Sequence, residues 1–215
     1  MPTEIQGEVG VRGLPISLAT GTITDVALGN QAQVMTQDWG PSYAEMAARG
    51  VLFSGANQAS QAISHLNATA TGLILINPQG SGVNLWIVEI QIIQTSVAAA
   101  TADAGIVLAA NSNPEPLASY SITSALNANS ALVGAASNAK AKLGSQVTLP
   151  AAPSIIRAIW QPSVSGTATT GIPSLIKDEV KGAVGVAPGC AVSLSANSAL
   201  SAIASITWAE LPAAA

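Results

Sequence analysis

The chain has 215 residues, enough for one medium β domain or two small ones. Seven Lys and Arg and eleven Asp and Glu make it only 8% charged, with a net charge of -4, against about 25% charged residues in an ordinary soluble domain. This excludes a nucleic-acid binder, which needs clustered cations, and disorder, which needs low hydrophobicity rather than 49% hydrophobic residues; the longest apolar stretch, Val97 to Ala110, contains Asp103 and falls short of the roughly 20 residues of a membrane span.

Residues 1–50 read as an extended N-terminal arm ending in a short helix. They hold Glu4, Glu8, Asp25, Asp38 and Glu45 against Arg12 and Arg49, which is -3 of the net -4. Their β-prone pieces, Ile16–Leu18 and Gly21–Val26, are broken by Gly13, Pro15, Gly21 and Gly29, so none closes a sheet of its own. Asp38 to Gly50 predicts one or two helical turns, with Pro41 at an early position and Gly50 as the C-terminal cap after Arg49. An arm this poor in core-forming residues is ordered only where something pins it.

Residues 51–215 read as a β domain. Leu73–Ile76 predicts a strand that ends at the breaker Asn77-Pro78-Gln79-Gly80-Ser81-Gly82. Val83–Gln94 is the strongest strand signal, with Val88, Ile90 and Ile92 on one face and Glu89, Gln91 and Ile93 on the other. Further strands are expected at Gly105–Ala109, Ser154–Gln161, Cys190–Ser195 and Ala202–Glu210, the last with Ile206 and Trp208 on one face. The near-low-complexity stretch 123–142 reads as an excursion between strands, because its Ser and Asn compete for the backbone. Short strands joined by Gly, Pro, Asn and Ser, without helical periodicity, predict an all-β sandwich or jelly roll.

Chemistry-bearing residues are sparse. His65 is the single histidine and Cys190 the single cysteine, so an internal disulfide is excluded and a zinc site lacks its usual ligands. Cys190 reads as a buried small hydrophobe at the start of a strand. Asp178 and Glu179 are adjacent, so in an extended strand they point to opposite faces and do not flank a glycosidic bond together. Within Lys177-Asp178-Glu179-Val180-Lys181 they read as neutralising the two lysines, at a solvated surface or between subunits. The glycine-rich breaker at 77–82 has no lysine and no following helix, so it reads as a turn rather than a phosphate loop. Asn67-Ala68-Thr69 fits a glycosylation sequon and reads as chance in a chain whose start, Met1-Pro2-Thr3-Glu4-Ile5, has no signal-peptide character. Trp86, Trp160 and Trp208 read as core. Trp39 lies outside the domain and, with Tyr43 and Met46, reads as an apolar anchor into a neighbouring chain. The expectation is no enzyme, no metal and no cofactor.

Three passages carry a resemblance. Gly72-Leu73-Ile74-Leu75-Ile76-Asn77-Pro78-Gln79-Gly80-Ser81-Gly82-Val83-Asn84-Leu85-Trp86-Ile87-Val88 resembles a "GL-x-L-x-NP-x-GSG-x-NL" passage of small jelly-roll virion proteins of tailed bacteriophages. Ala187-Pro188-Gly189-Cys190-Ala191-Val192 resembles their "PPG-x-x-V" strand start, and Ile206-Thr207-Trp208-Ala209-Glu210-Leu211-Pro212 their "V-x-W-x-E-x-P" terminal strand. Gly50 to Ala59 resembles the opening of the same domain, so the likeness covers roughly residues 50 to 212, with no counterpart for 123–150.

The resemblance implies a homotrimeric capsid decoration (cement) protein on the virion surface. Its partners would be the major capsid protein and copies of itself, with neither nucleic acid nor membrane. The chain would be made in the host cytoplasm and released by lysis. A nearly uncharged surface is a poor solubiliser of a free monomer, which agrees with a surface covered by other protein. Two other classes stay open: a tail or head-fibre module that binds a receptor or carbohydrate, and a glycan hydrolase using two of Asp103, Glu115, Asp178 and Glu179.

Overall fold

The computed structural model of the chain describes residues 42–95, 105–160, 175–196 and 200–213. The chain divides into two units, 1–45 and 46–215. The first is described only over 42–45, so the extended arm and Trp39 lie outside the described residues.

The expected helix is α1 (Ser42–Ala48). Its end is capped as its sequence requires. Gly50 takes φ +67°, its N–H donates to the Ala47 carbonyl (3.0 Å), and the Val51 N–H donates to the Met46 carbonyl (3.0 Å). Those are the paired bonds of a Schellman cap, and only glycine adopts that φ without cost.

The second unit is a β-sandwich. Its strands are β1 (Leu52–Ala56), β2 (Gln61–Ile63), β3 (Thr69–Ile76), β4 (Val83–Gln94), β5 (Ile106–Asn111), β6 (Ser121–Leu126), β7 (Asn129–Ser130), β8 (Lys142–Thr148), β9 (Ser154–Trp160), β10 (Leu175–Val186), β11 (Ala191–Ala196) and β12 (Leu200–Pro212). One sheet runs β10-β4-β12-β1-β7, with β2 also on β12; the other runs β6-β8-β3-β11-β5-β9. All described pairings are antiparallel. The quartets β1-β12-β4-β10 and β3-β11-β5-β9, filled by a chain that crosses repeatedly between the sheets, follow the strand order of a jelly roll.

Burial explains which strands were visible in the sequence. In β12, Ala202, Ala204, Ile206 and Trp208 point into the core, and Ser201, Ile203, Ser205 and Thr207 point outward. The main core fills the space between the sheets, with Phe53 and Trp208 stacked at 6.0 Å between ring centroids. In β3, Leu73 and Leu75 enter that core, while Ile74 and Ile76 enter a second cluster with Tyr120, Val147, Leu149 and Ala191 on the far face. Covered on both faces, β3 reads as a continuous apolar run.

Several expectations are corrected. Val88 does not share a face with Ile90 and Ile92. The β4–β12 register slips between Thr207 and Trp208, which sets Val88 in an outer cluster with Leu52 and Ala209. Such a bulge reverses the alternation that sequence patterning assumes. Trp86 is not core: it lies on the outer face, 37% exposed, against Gly185. A Cβ at Gly185 would lie 3.0 Å from the indole, so a larger residue there would have to push the ring outward. Residues 123–142 are only partly an excursion, because they contain most of β6 and all of β7. Cys190 precedes β11 rather than starting it, and is buried as expected.

Candidate functional site

The three passages that carry the resemblance converge at one end of the sandwich. Leu85 at the start of β4 pairs with Val186 at the end of β10 and with Glu210 near the end of β12. Asn77 sits at the centre with no exposed surface. Its Nδ2 donates to the Val83 and Val186 carbonyls (both 2.8 Å), and its Oδ1 accepts from the Ser81 hydroxyl (2.7 Å). Its N–H donates to the Cys190 carbonyl (2.9 Å), and the Gly189 N–H donates to its own carbonyl (2.8 Å). One buried amide thus joins the β3–β4 and β10–β11 turns. The 77–82 breaker is the expected strand-to-strand turn, closed by the Ser81 N–H on the Pro78 carbonyl (3.1 Å).

Gly189 is fixed by both conformation and space. It takes φ +85°, and a Cβ there would stand 2.9 Å from the Glu115 nitrogen and 3.0 Å from Pro114 Cα. Its carbonyl accepts the Tyr120 hydroxyl (2.6 Å). Burial first, then the nearby Cys190 and Glu115, push the Tyr120 phenol up to about 12. Burial also raises the Cys190 thiol, which turns toward the Ser112 carbonyl. A thiol held protonated is a poor nucleophile.

In the terminal passage, Glu210 is buried. Its carboxylate accepts from the Lys140 N–H (3.0 and 2.9 Å to its two oxygens), the Ala141 N–H (3.0 Å) and Trp208 Nε1 (3.2 Å). In all three passages the buried polar groups are spent on hydrogen bonds that hold one end of the sandwich together.

The charged residues singled out in the sequence lie on β10, at the edge of its sheet. Asp178 and Glu179 do point to opposite faces. Asp178 does not neutralise a lysine; it takes a two-pronged pair with Arg157 of β9 in the other sheet (Nε to Oδ2 2.8 Å, Nη2 to Oδ1 2.9 Å). That pair clasps the two sheet edges together and raises the Arg157 pKa through hydrogen bonding and charge. Glu179 faces outward and pairs with Lys181 (3.0 Å) and Lys177 (3.1 Å). The same lysine reaches Glu89 of β4 (3.2 Å), which also holds the Gln91 amide. Glu179 and Glu89 stand directly opposite across the strands, an unfavourable pairing that Lys177 relieves by bonding both. These bonds lower the Glu179 pKa, Lys181 first and Lys177 second, and raise that of Lys177.

Lys181 and Gly182 interrupt β10 with φ +51° and +78°, where the register shifts between Glu179 and Val184. A bulge of this kind keeps an edge from continuing into a neighbouring sheet. Beside the charged rows, Leu175 (61% exposed) and Ile93 (41%) pair across β10 and β4, and Ile203 continues the row on β12. The outer face of this sheet thus carries an aliphatic row next to a charge-balanced one.

Of the expected anchor, Tyr43 is exposed, whereas Met46 packs against Leu52, Val88 and Ala209 of its own sheet. Met46 is therefore held by its own domain. His65 is exposed in the β2–β3 loop. Asp103 lies outside the described residues. No group of three or more His, Cys, Asp or Glu side chains that could hold a metal occurs among the described residues, and no described helix is long and apolar enough to cross a membrane. The carboxylates considered for glycan hydrolysis are engaged at Asp178 and Glu179, on opposite faces of one strand. No family model, curated protein or solved structure matches the chain.

Proposed function

We propose that the chain is a structural virion protein of a tailed phage, a capsid decoration protein that binds the assembled head and stabilises it. The observation that carries this reading is the convergence of the three resembling passages on one jelly-roll end, where Asn77, Gly189 and Glu210 each hold a turn or strap in place. A likeness that falls on the residues fixing the fold, in chain order, is the kind that a shared architecture leaves. Low charge agrees with it, since a shell protein buries much of its surface against neighbours.

The partners of this reading are the major capsid protein and copies of the chain itself, as a homotrimer at a local threefold position. Trp39 and Tyr43 anchor the arm on a neighbour. The β10 face, with Lys177, Glu179 and Lys181 beside Leu175 and Ile93, supplies a second contact. Stabilisation of the head is then linkage: a ligand at 100 times its dissociation constant adds about 2.7 kcal/mol per site.

The test heats decorated and stripped heads in parallel and follows DNA release with a dye. The reading requires a higher release temperature for decorated heads, little affected by salt because apolar contacts dominate. Equal release temperatures would remove the decoration role and favour a tail or receptor-binding module.

A further inference from the structure

We propose that residues 131–141 form a strap over the open side of the sandwich beside β1, and that the buried Glu210 carboxylate is its latch. β7 ends at Ser130 on the edge of one sheet, and β8 begins at Lys142 in the other, so the strap crosses between them. Its sequence, Ala131-Leu132-Val133-Gly134-Ala135-Ala136-Ser137-Asn138-Ala139-Lys140-Ala141, has no periodicity that would order it. Order comes from its ends.

At the first end the Ala131 N–H donates to the Leu52 carbonyl (2.9 Å), and Ala131 packs on the Leu52, Val88 and Ala209 cluster. At the second end the Lys140 and Ala141 N–H groups both donate to Glu210, and Ala141 enters the main core. Between the ends the chain stands clear. Val133 is 98% exposed, on a turn closed by the Ala135 N–H and the Leu132 carbonyl (3.0 Å) with Gly134 at φ +94°.

Glu210 is the one charged residue that is buried among the described residues. Its hydrogen bonds go to the strap and to the Trp208 indole. A buried charge is tolerated only when it is fully bonded. Lifting the strap strips this carboxylate of two backbone donors, so the strap closes onto its latch or leaves it, without a stable half-way state. The strap continues from β7, which covers an edge: β7 pairs with β1 at Phe53 and Ser54, on the side of β1 away from β12. Opening the strap together with β7 leaves that side of β1 without its strand partner. The device does not depend on whether the chain decorates a head.

Amide hydrogen exchange on the full chain tests it. In the unaltered protein the bonded amides at the two ends, Ala131, Lys140 and Ala141, should exchange together, through an opening that leaves β3, β4, β11 and β12 protected. Glu210→Gln keeps the shape and removes the charge. It should speed exchange of the Lys140 and Ala141 amides, and of Ala131 with them, by roughly a hundredfold, the scale set by losing a charged acceptor, without changing those four strands. Val133→Ser, at the free tip, should leave the rates as they are. Strap amides that exchange only with the core in the unaltered protein would overturn the proposal. Unchanged strap rates in Glu210→Gln would overturn it too. If Glu210→Gln does not fold, exchange in the unaltered protein decides alone.

Discussion

Asn77→Ala is expected to be among the most damaging single substitutions in the domain. The side chain has no exposed surface and makes three hydrogen bonds, to the Val83 and Val186 carbonyls and from the Ser81 hydroxyl. Each is worth about 1 kcal/mol net, and the buried Val186 carbonyl, which loses the Asn77 donor, adds a desolvation cost of similar size, whereas the Val83 carbonyl keeps the Ser81 hydroxyl. The total comes to about 3–5 kcal/mol, a large share of the roughly 5–15 kcal/mol that a domain has. Denaturant unfolding followed by tryptophan fluorescence should show a lowered midpoint at unchanged slope. Asn77→Asp sharpens the test. It keeps the volume and the Ser81 contact but turns an oxygen toward two carbonyl oxygens. The introduced carboxyl favours its neutral form in the folded state, which raises its pKa there. Stability of this variant is therefore greatest in acid and is lost as pH rises through the raised value. A cost below about 1 kcal/mol for Asn77→Ala, or an Asn77→Asp variant indifferent to pH, would refute the role given to this amide.

The Tyr120 phenol, at about 12 in the folded protein, should ionise late in an ultraviolet titration. Because the folded form keeps its proton longer than the unfolded one, stability is full below the ordinary tyrosine range and falls as pH rises through the folded value; Tyr120→Phe should remove that fall. Lys181→Ala should move the Glu179 carboxyl back up toward its ordinary value in a carboxyl-resolved NMR titration, since Lys181 is the largest cause of its lowering. The stability linked to Glu179 is present above the ordinary carboxylate range and is lost as pH falls through the lowered value. Arg157→Ala should cost about 1 kcal/mol at low salt and less at high salt, because the pair with Asp178 is partly solvated. Sedimentation at micromolar concentration should give about three times 21.3 kDa; a monodisperse monomer would contradict the trimer.

The parts of the fold visible in the sequence are those where one face or both are buried without interruption. β3 declares itself by its apolar run, β12 by alternation over 200–208, β4 by alternation on either side of the bulge at Val88, and α1 by its glycine cap. β10 was missed because it lies at an edge and turns charge outward at Lys177 and Glu179, while Lys181 and Gly182 break its pattern. β8 was missed because Gly144 and Gln146 dilute it; a Cβ at Gly144 would stand 2.8 Å from the Val147 side chain, so packing demands the glycine that hides the strand. Trp86 reads as core because a tryptophan in a strand does so unless its neighbour is known, and that neighbour, Gly185, lies 99 residues further along the chain. The charged cluster was legible as an ion-pair group, but the choice of Arg157 for Asp178 depends on two sheets meeting. Glu210 could have been suspected: a carboxylate two residues after an inward tryptophan near the end of an alternating strand is due to face the core.

The proposal that this chain belongs to the shell of a phage head is tested most directly by copy number. The chain should be quantified by gel densitometry in purified particles of the phage that encodes it, against the major capsid protein. The account predicts hundreds of copies per particle, in fixed ratio to the shell. A handful of copies would place the chain in a tail or fibre, and its absence from the particle would contradict the claim outright.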